Sequence, residues 1–255
     1  MRINEQNIII VIGDLGSGIN LVKNTILLSP AVHWPYDSLN RFNYITTNAY
    51  PTLLKKSMEN WITYEYRFRQ SKKFYGVDIA DNFADIATTE VIKISQTNKI
   101  VFITHWCDTA NQLKNLYPGI NIVTLYPNDD HELLWQIKTY VDKVGIGNIQ
   151  NFSFFDDVEN QKYMYIDKFG IGSYYKFNIS NMFHIMKNRV VDYKNISTNT
   201  IQIGKLPTGY WIEQLNDTLT LNLNTNEAKN MVSIWHNLHN NNSIYDYPWL
   251  DITLI

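Results

Sequence analysis

The glycine-rich run Gly13-Asp14-Leu15-Gly16-Ser17-Gly18 follows an apolar stretch at residues 7–12 (NIIIVI) and leads straight into a helical pattern. Glycines at such a turn let successive backbone amides face inward, and the positive end of the next helix adds to their field. The chemistry this offers is an anion cradle for phosphate or sulfate, with Gly13, Leu15, Gly16, Ser17, Gly18, Ile19 and Asn20 as its contacts. Both glycines of the nucleotide loop G-x-x-x-x-G-K-[ST] are present. Ile19 stands where that motif has its lysine, however, and Asn20 where it has the metal-binding hydroxyl, which argues against magnesium-dependent ATP hydrolysis. A glycine turn can also arise for steric reasons alone.

The second candidate is His105, which ends a β-branched run at residues 99–104 (KIVFIT). Open α/β sheets bind ligands at the carboxyl ends of their strands, and an imidazole there could act as a general base near neutral pH. The competing reading is a structural histidine at a strand end. Cys107, two residues on, is a nucleophile only on paper. His33, Trp34 and Tyr36 could line an acceptor pocket or pack their own loop. His236 and His239 are three apart on a helical pattern, a spacing that suits a shared metal but lacks a third ligand, so a solvated helix face is the better reading and no metal is expected. Ser17 has no G-x-S-x-G frame for a nucleophile elbow.

These residues need elements to place them. Continuous apolar runs at 7–12, 99–104 and 120–126 read as strands buried on both faces, with a further strand at 200–203. Helical periodicity covers 18–28, closed by Ser29-Pro30, and then 53–69, 79–95, 110–116, 129–144, 179–189, 209–219 and 227–239. Asp129 and Asp130 fall at the positive end of the fifth of these. Residues 33–51 read as an irregular loop, and 152–177 as an aromatic, glycine-spaced stretch without a clear pattern. Strands alternating with helices indicate right-handed crossovers and a parallel sheet. The expected fold is a three-layer α/β sandwich around a central parallel sheet, one domain spanning residues 1–255.

Composition narrows the classes of function. A formal charge of −2 and a pI near 6.3 supply no basic field for nucleic acid or anionic lipid. The lone cysteine excludes an internal disulfide and fits a reducing cytosol, and the polar opening MRINEQN with its short apolar run suggests neither a signal peptide nor a membrane span. A cytoplasmic home is therefore expected. Abundant Asn, Ile, Tyr and Lys with little Ala, Gly and Arg is the bias of AT-rich coding sequence, such as that of many phages or AT-rich bacteria.

The run GDLGSGINLVKNTILLSPAVHWPYDS resembles the 5′-phosphosulfate loop and first helix of the sulfotransferases, a P-loop family. The block KIVFITHWCDTANQLKNLYPGINIVTLYPNDDHELLWQIKTY resembles that family's second signature, and residues 212–239 loosely resemble its closing helices. The resemblance implies transfer of a sulfuryl group from 3′-phosphoadenosine 5′-phosphosulfate, without a required metal, to a hydroxyl on a small-molecule or glycan acceptor. It also puts His105 on the catalytic base. The chain departs from the pattern at Gly16, where many members have a lysine, and over residues 126–134, where their 3′-phosphate arginine and serine are missing. A degenerate member kept for binding or structure, as a phage accessory protein could be, is the alternative. A kinase with an unusual loop and a nucleic-acid-binding module fit less well.

Overall fold

The computed structural model describes residues 2–34, 40–48, 77–78, 88–144 and 171–241. Tyr36, the helix expected at 53–69 and most of that expected at 79–95 lie outside them.

Among the described residues, five strands form one parallel sheet: β1 (Ile8–Ile12), β2 (Val77–Asp78), β3 (Ile100–Thr104), β4 (Asn121–Tyr126) and β5 (Asn199–Gln202), in the order β2-β3-β1-β4-β5. Strand β1 lies at the centre, and all five of its residues are buried, as a run of Ile and Val without polar alternation requires. Its side chains alternate between two cores. Ile9 and Val11 face one core, while Ile8, Ile10 and Ile12 face the other.

The first core is covered by α1 (Ile19–Leu27), α2 (Arg41–Asn48), α7 (Trp211–Leu219) and α8 (Thr225–Asn241). The second is covered by α3 (Thr89–Ile94), α4 (Cys107–Leu116) and the end of α6 (Ile171–Ile196). This division follows from chain direction. The β1 to β2 connection crosses the sheet one way and carries α1 and α2, whereas the later crossovers run the other way and carry α3, α4 and α6. Crossovers of one hand place their helices on opposite faces when their directions are opposite. Helix α5 (Asp130–Val144) packs along α6 and against the 3-10 turn Ile203–Thr208.

The segment read as an irregular loop contains α2. Its start is set by Asn40, whose Oδ1 accepts the Asn43 N–H at 3.0 Å. Arg41 at its first position donates through Nη1 to the carbonyls of Leu27 and Ser29, satisfying the end of α1. Among the described residues, no helix is long and apolar enough to cross a membrane.

Candidate functional site

The connections leaving β1 and β4, which are neighbours, diverge to opposite sides of the sheet. Such a divergence opens a crevice at the carboxyl ends of the strands. The loop between β1 and α1 lies at that place. The Gly13 N–H donates to the Thr104 carbonyl at 3.4 Å, the Ser17 N–H to the Asp14 carbonyl at 3.1 Å, and the Leu15 N–H to Asp14 Oδ1 at 2.8 Å. Gly16 and Gly18 are left-handed, with φ of 79° and 85°, and Gly18 caps α1 by accepting the N–H groups of Leu21 and Val22.

The amides of Gly16, Gly18, Ile19 and Asn20 make no hydrogen bond among the described residues. Ser17 Oγ is fully buried within the loop and also has no partner there. Orphan donors at a helix start, with a buried hydroxyl beside them, are what an oxyanion would satisfy. The loop is braced from behind by α5. Gln136 Nε2 donates to the Leu15 carbonyl at 2.9 Å, and a Cβ on Gly16 would collide with the Gln136 carbonyl and come within 2.9 Å of Tyr140 Cβ.

His105 stands against this loop. Its Nδ1 lies 2.9 Å from the Gly13 carbonyl oxygen, and because a carbonyl only accepts, Nδ1 carries a hydrogen. Tyr193 of α6 donates its hydroxyl to the His105 carbonyl at 2.8 Å. Burial pushes the Tyr193 proton affinity up, which keeps the phenol a donor.

Two charged groups, Asp14 and Arg189, stand beside the loop, and neither was among the expected contacts. The Asp14 side chain is 8% exposed, and its Oδ2 lies 3.6 Å from Arg189 of α6, an ion pair too long to be a hydrogen bond. Burial raises the Asp14 carboxyl above its ordinary value, opposed in part by the Leu15 N–H, Arg189 and His105. The Arg189 guanidinium lies 6.0 Å from the centre of the half-exposed Trp106 ring. A carboxylate inside a glycine turn was legible; its partner, on the last crossover helix, carried no local signal.

The other expected residues are placed elsewhere. Val32 bridges to Lys99 and the His33 N–H bonds to the Lys99 carbonyl, so His33 and the buried Trp34 lie at the amino end of β3. Six residues of extended chain, roughly 20 Å, separate Lys99 at that end from His105. The structure does not bring them together with the loop. Burial pushes the Cys107 thiol up to about 12, so it stays protonated near neutral pH and is no nucleophile. Asp129 caps α5, accepting the Glu132 N–H at 2.8 Å, and Asp130 pairs with Lys187 at 2.6 Å. Among the described residues, no group of three or more His, Cys, Asp or Glu is arranged to hold a metal.

No family model, curated protein or solved structure matches this chain.

Proposed function

We propose that the chain is a sulfotransferase-like, P-loop transferase that seats the phosphosulfate of 3′-phosphoadenosine 5′-phosphosulfate on the loop after β1 and uses His105 as its base. The observation that supports this reading is the pairing of four amides, unpartnered among the described residues, with an imidazole whose Nδ1 is fixed by the same loop. Amides directed at developing charge stabilise it without reorganisation. In such a reaction the acceptor hydroxyl gives its proton to His105 Nε2. The acceptor oxygen bonds to sulfur as the bond from sulfur to the donor phosphate breaks.

A second reading, in which the loop binds an anion without transfer, draws on two specific observations. The residues where a 3′-phosphate cation is expected hold Asp129 and Asp130, committed to a helix cap and to Lys187. The loop also carries the buried Asp14 carboxyl.

A thermal-shift series with adenosine 3′,5′-bisphosphate, the phosphosulfate donor, ATP and GTP tests the binding step. A ligand at about 100 times its dissociation constant should add about 2.7 kcal/mol of stability. Transfer from labelled donor to phenols, sugars and amines tests the chemistry, and His105→Ala should lower turnover roughly 10² to 10⁴ fold while leaving donor affinity unchanged. Binding without product from any acceptor favours the second reading. The absence of a shift with all four ligands removes the loop assignment itself.

A further inference from the structure

We propose that Arg189 is the cation of this loop site, a guanidinium shared between Asp14 and a phosphoryl or sulfuryl group held on the amides of residues 16–20. The inference rests on the loop reading above and deepens it. The loop itself contains no lysine or arginine, and Lys23, about a turn and a half along α1, donates to Asn20 Oδ1 at 3.0 Å. Arg189 reaches the loop from the other side of the sheet. It is drawn to Asp14 by charge, yet at 3.6 Å it makes no hydrogen bond, and none of its donors is bonded elsewhere among the described residues. A guanidinium carries five N–H groups in a planar fork suited to two oxygens of one tetrahedral anion. Its side chain is 35% exposed, against 8% for Asp14, so the cation faces solvent while the carboxyl does not. The Trp106 ring beside it offers the guanidinium plane a face on which to rest at the rim.

Sharing has a chemical consequence. A bound oxyanion and an ionised Asp14 would repel each other across one cation, and the neighbours of Asp14 set how that conflict resolves. They are Arg189 from α6, the His105 ring after β3, and the Leu15 N–H of the loop, with Cys107 of α4 and Tyr193 of α6 protonated close by. When Arg189 turns to the ligand, Asp14 loses its main counter-charge inside an apolar surround and takes up a proton. Anion binding is therefore coupled to proton uptake at a carboxyl that never touches the ligand.

The test uses the full chain with inorganic pyrophosphate, titrated calorimetrically near neutral pH in two buffers of different ionisation enthalpy. Wild type should bind with net proton uptake. Arg189→Gln should weaken binding about ten- to a hundredfold, and Arg189→Lys, which keeps the charge but loses the fork, should fall between. Asp14→Asn should bind more tightly than wild type and without the proton. Pyrophosphate affinity unchanged in a folded Arg189→Gln protein would overturn the proposal, as would weaker binding by Asp14→Asn or wild-type binding without proton uptake. Should Arg189→Gln not fold, the lysine and asparagine variants decide the question. If neither wild type nor Asp14→Asn binds pyrophosphate, the loop reading falls and this inference with it. Binding indifferent to residue 189 removes the inference alone.

Discussion

Gly16 and Gly209 are both left-handed, yet the structure asks different things of them. At Gly209, with φ of 66°, a Cβ would meet only Ile212 Cδ1 at 3.4 Å and Lys229 Cγ at 3.8 Å, so alanine there bears the conformational cost alone, about 1 to 2 kcal/mol. At Gly16 the same cost is joined by a collision with the Gln136 carbonyl, part of the α5 backbone. Overpacking adds about 1 to 3 kcal/mol, so Gly16→Ala should destabilise by about 2 to 5 kcal/mol in denaturant unfolding. Equal costs at the two positions would mean that the loop is not clamped against α5. The close approach also bears on function. A loop braced from behind is held in one conformation, and under the proposed reading that is the preorganisation an oxyanion site needs.

At the scale of elements, Asp129 and Asp130 were both expected to act through the helix dipole, and the structure separates them. Asp129 is the N-cap of α5, and Glu132 answers reciprocally by accepting the Asn128 N–H at 2.8 Å. Asp129→Ala should cost about 1 kcal/mol. Asp130 meets Lys187 with both side chains half exposed, so Asp130→Ala should change stability by less than about 1 kcal/mol, and less still at high salt. Thermal unfolding at low and at high salt distinguishes the two. The same contrast explains what could be read in advance. Strands β1, β3 and β4 were legible because burial on both faces demands unbroken apolar runs, and α1, α7 and α8 because one apolar stripe recurs every three or four residues. Helix α2 was missed because RFNYITTN carries little apolar periodicity, although Asn40 three residues before Asn43 was a usable cap signal. Helix α4 begins at Cys107, earlier than periodicity placed it, because its first turn is polar. In the candidate site, the places of Gly13 and His105 just past the ends of β1 and β3 were legible from the apolar runs before them. Arg189 was not, since nothing near it in the sequence points to a loop at the other end of the chain.

At the scale of the whole molecule, the sheet order determines which charges share one environment, and this sets how stability depends on pH. Strand β1 ends at the centre of the sheet, so the next carboxyl, Asp14, is carried beneath α6 and kept from water. Its ordinary value of 3.8 describes the unfolded chain, and burial raises it in the fold despite Arg189, His105 and the Leu15 N–H. A carboxyl raised on folding binds its proton more tightly in the native state. Between the unfolded and folded values the native protein therefore holds more protons, and this group lowers stability as pH rises through that window. Above the folded value the full cost persists, and below 3.8 it vanishes because both states are protonated. Other carboxyls titrate over the same range, so the quantity to measure is the difference between wild type and Asp14→Asn, which share all of them. The asparagine protein should be the more stable near neutral pH, and its advantage should shrink as the medium is acidified toward pH 3.8. Unfolding free energies of the pair at several pH values check this. A destabilised Asp14→Asn protein at neutral pH would show that attraction to Arg189 outweighs the cost of burial. The ion pair would then hold α6 to the loop with a net gain in stability.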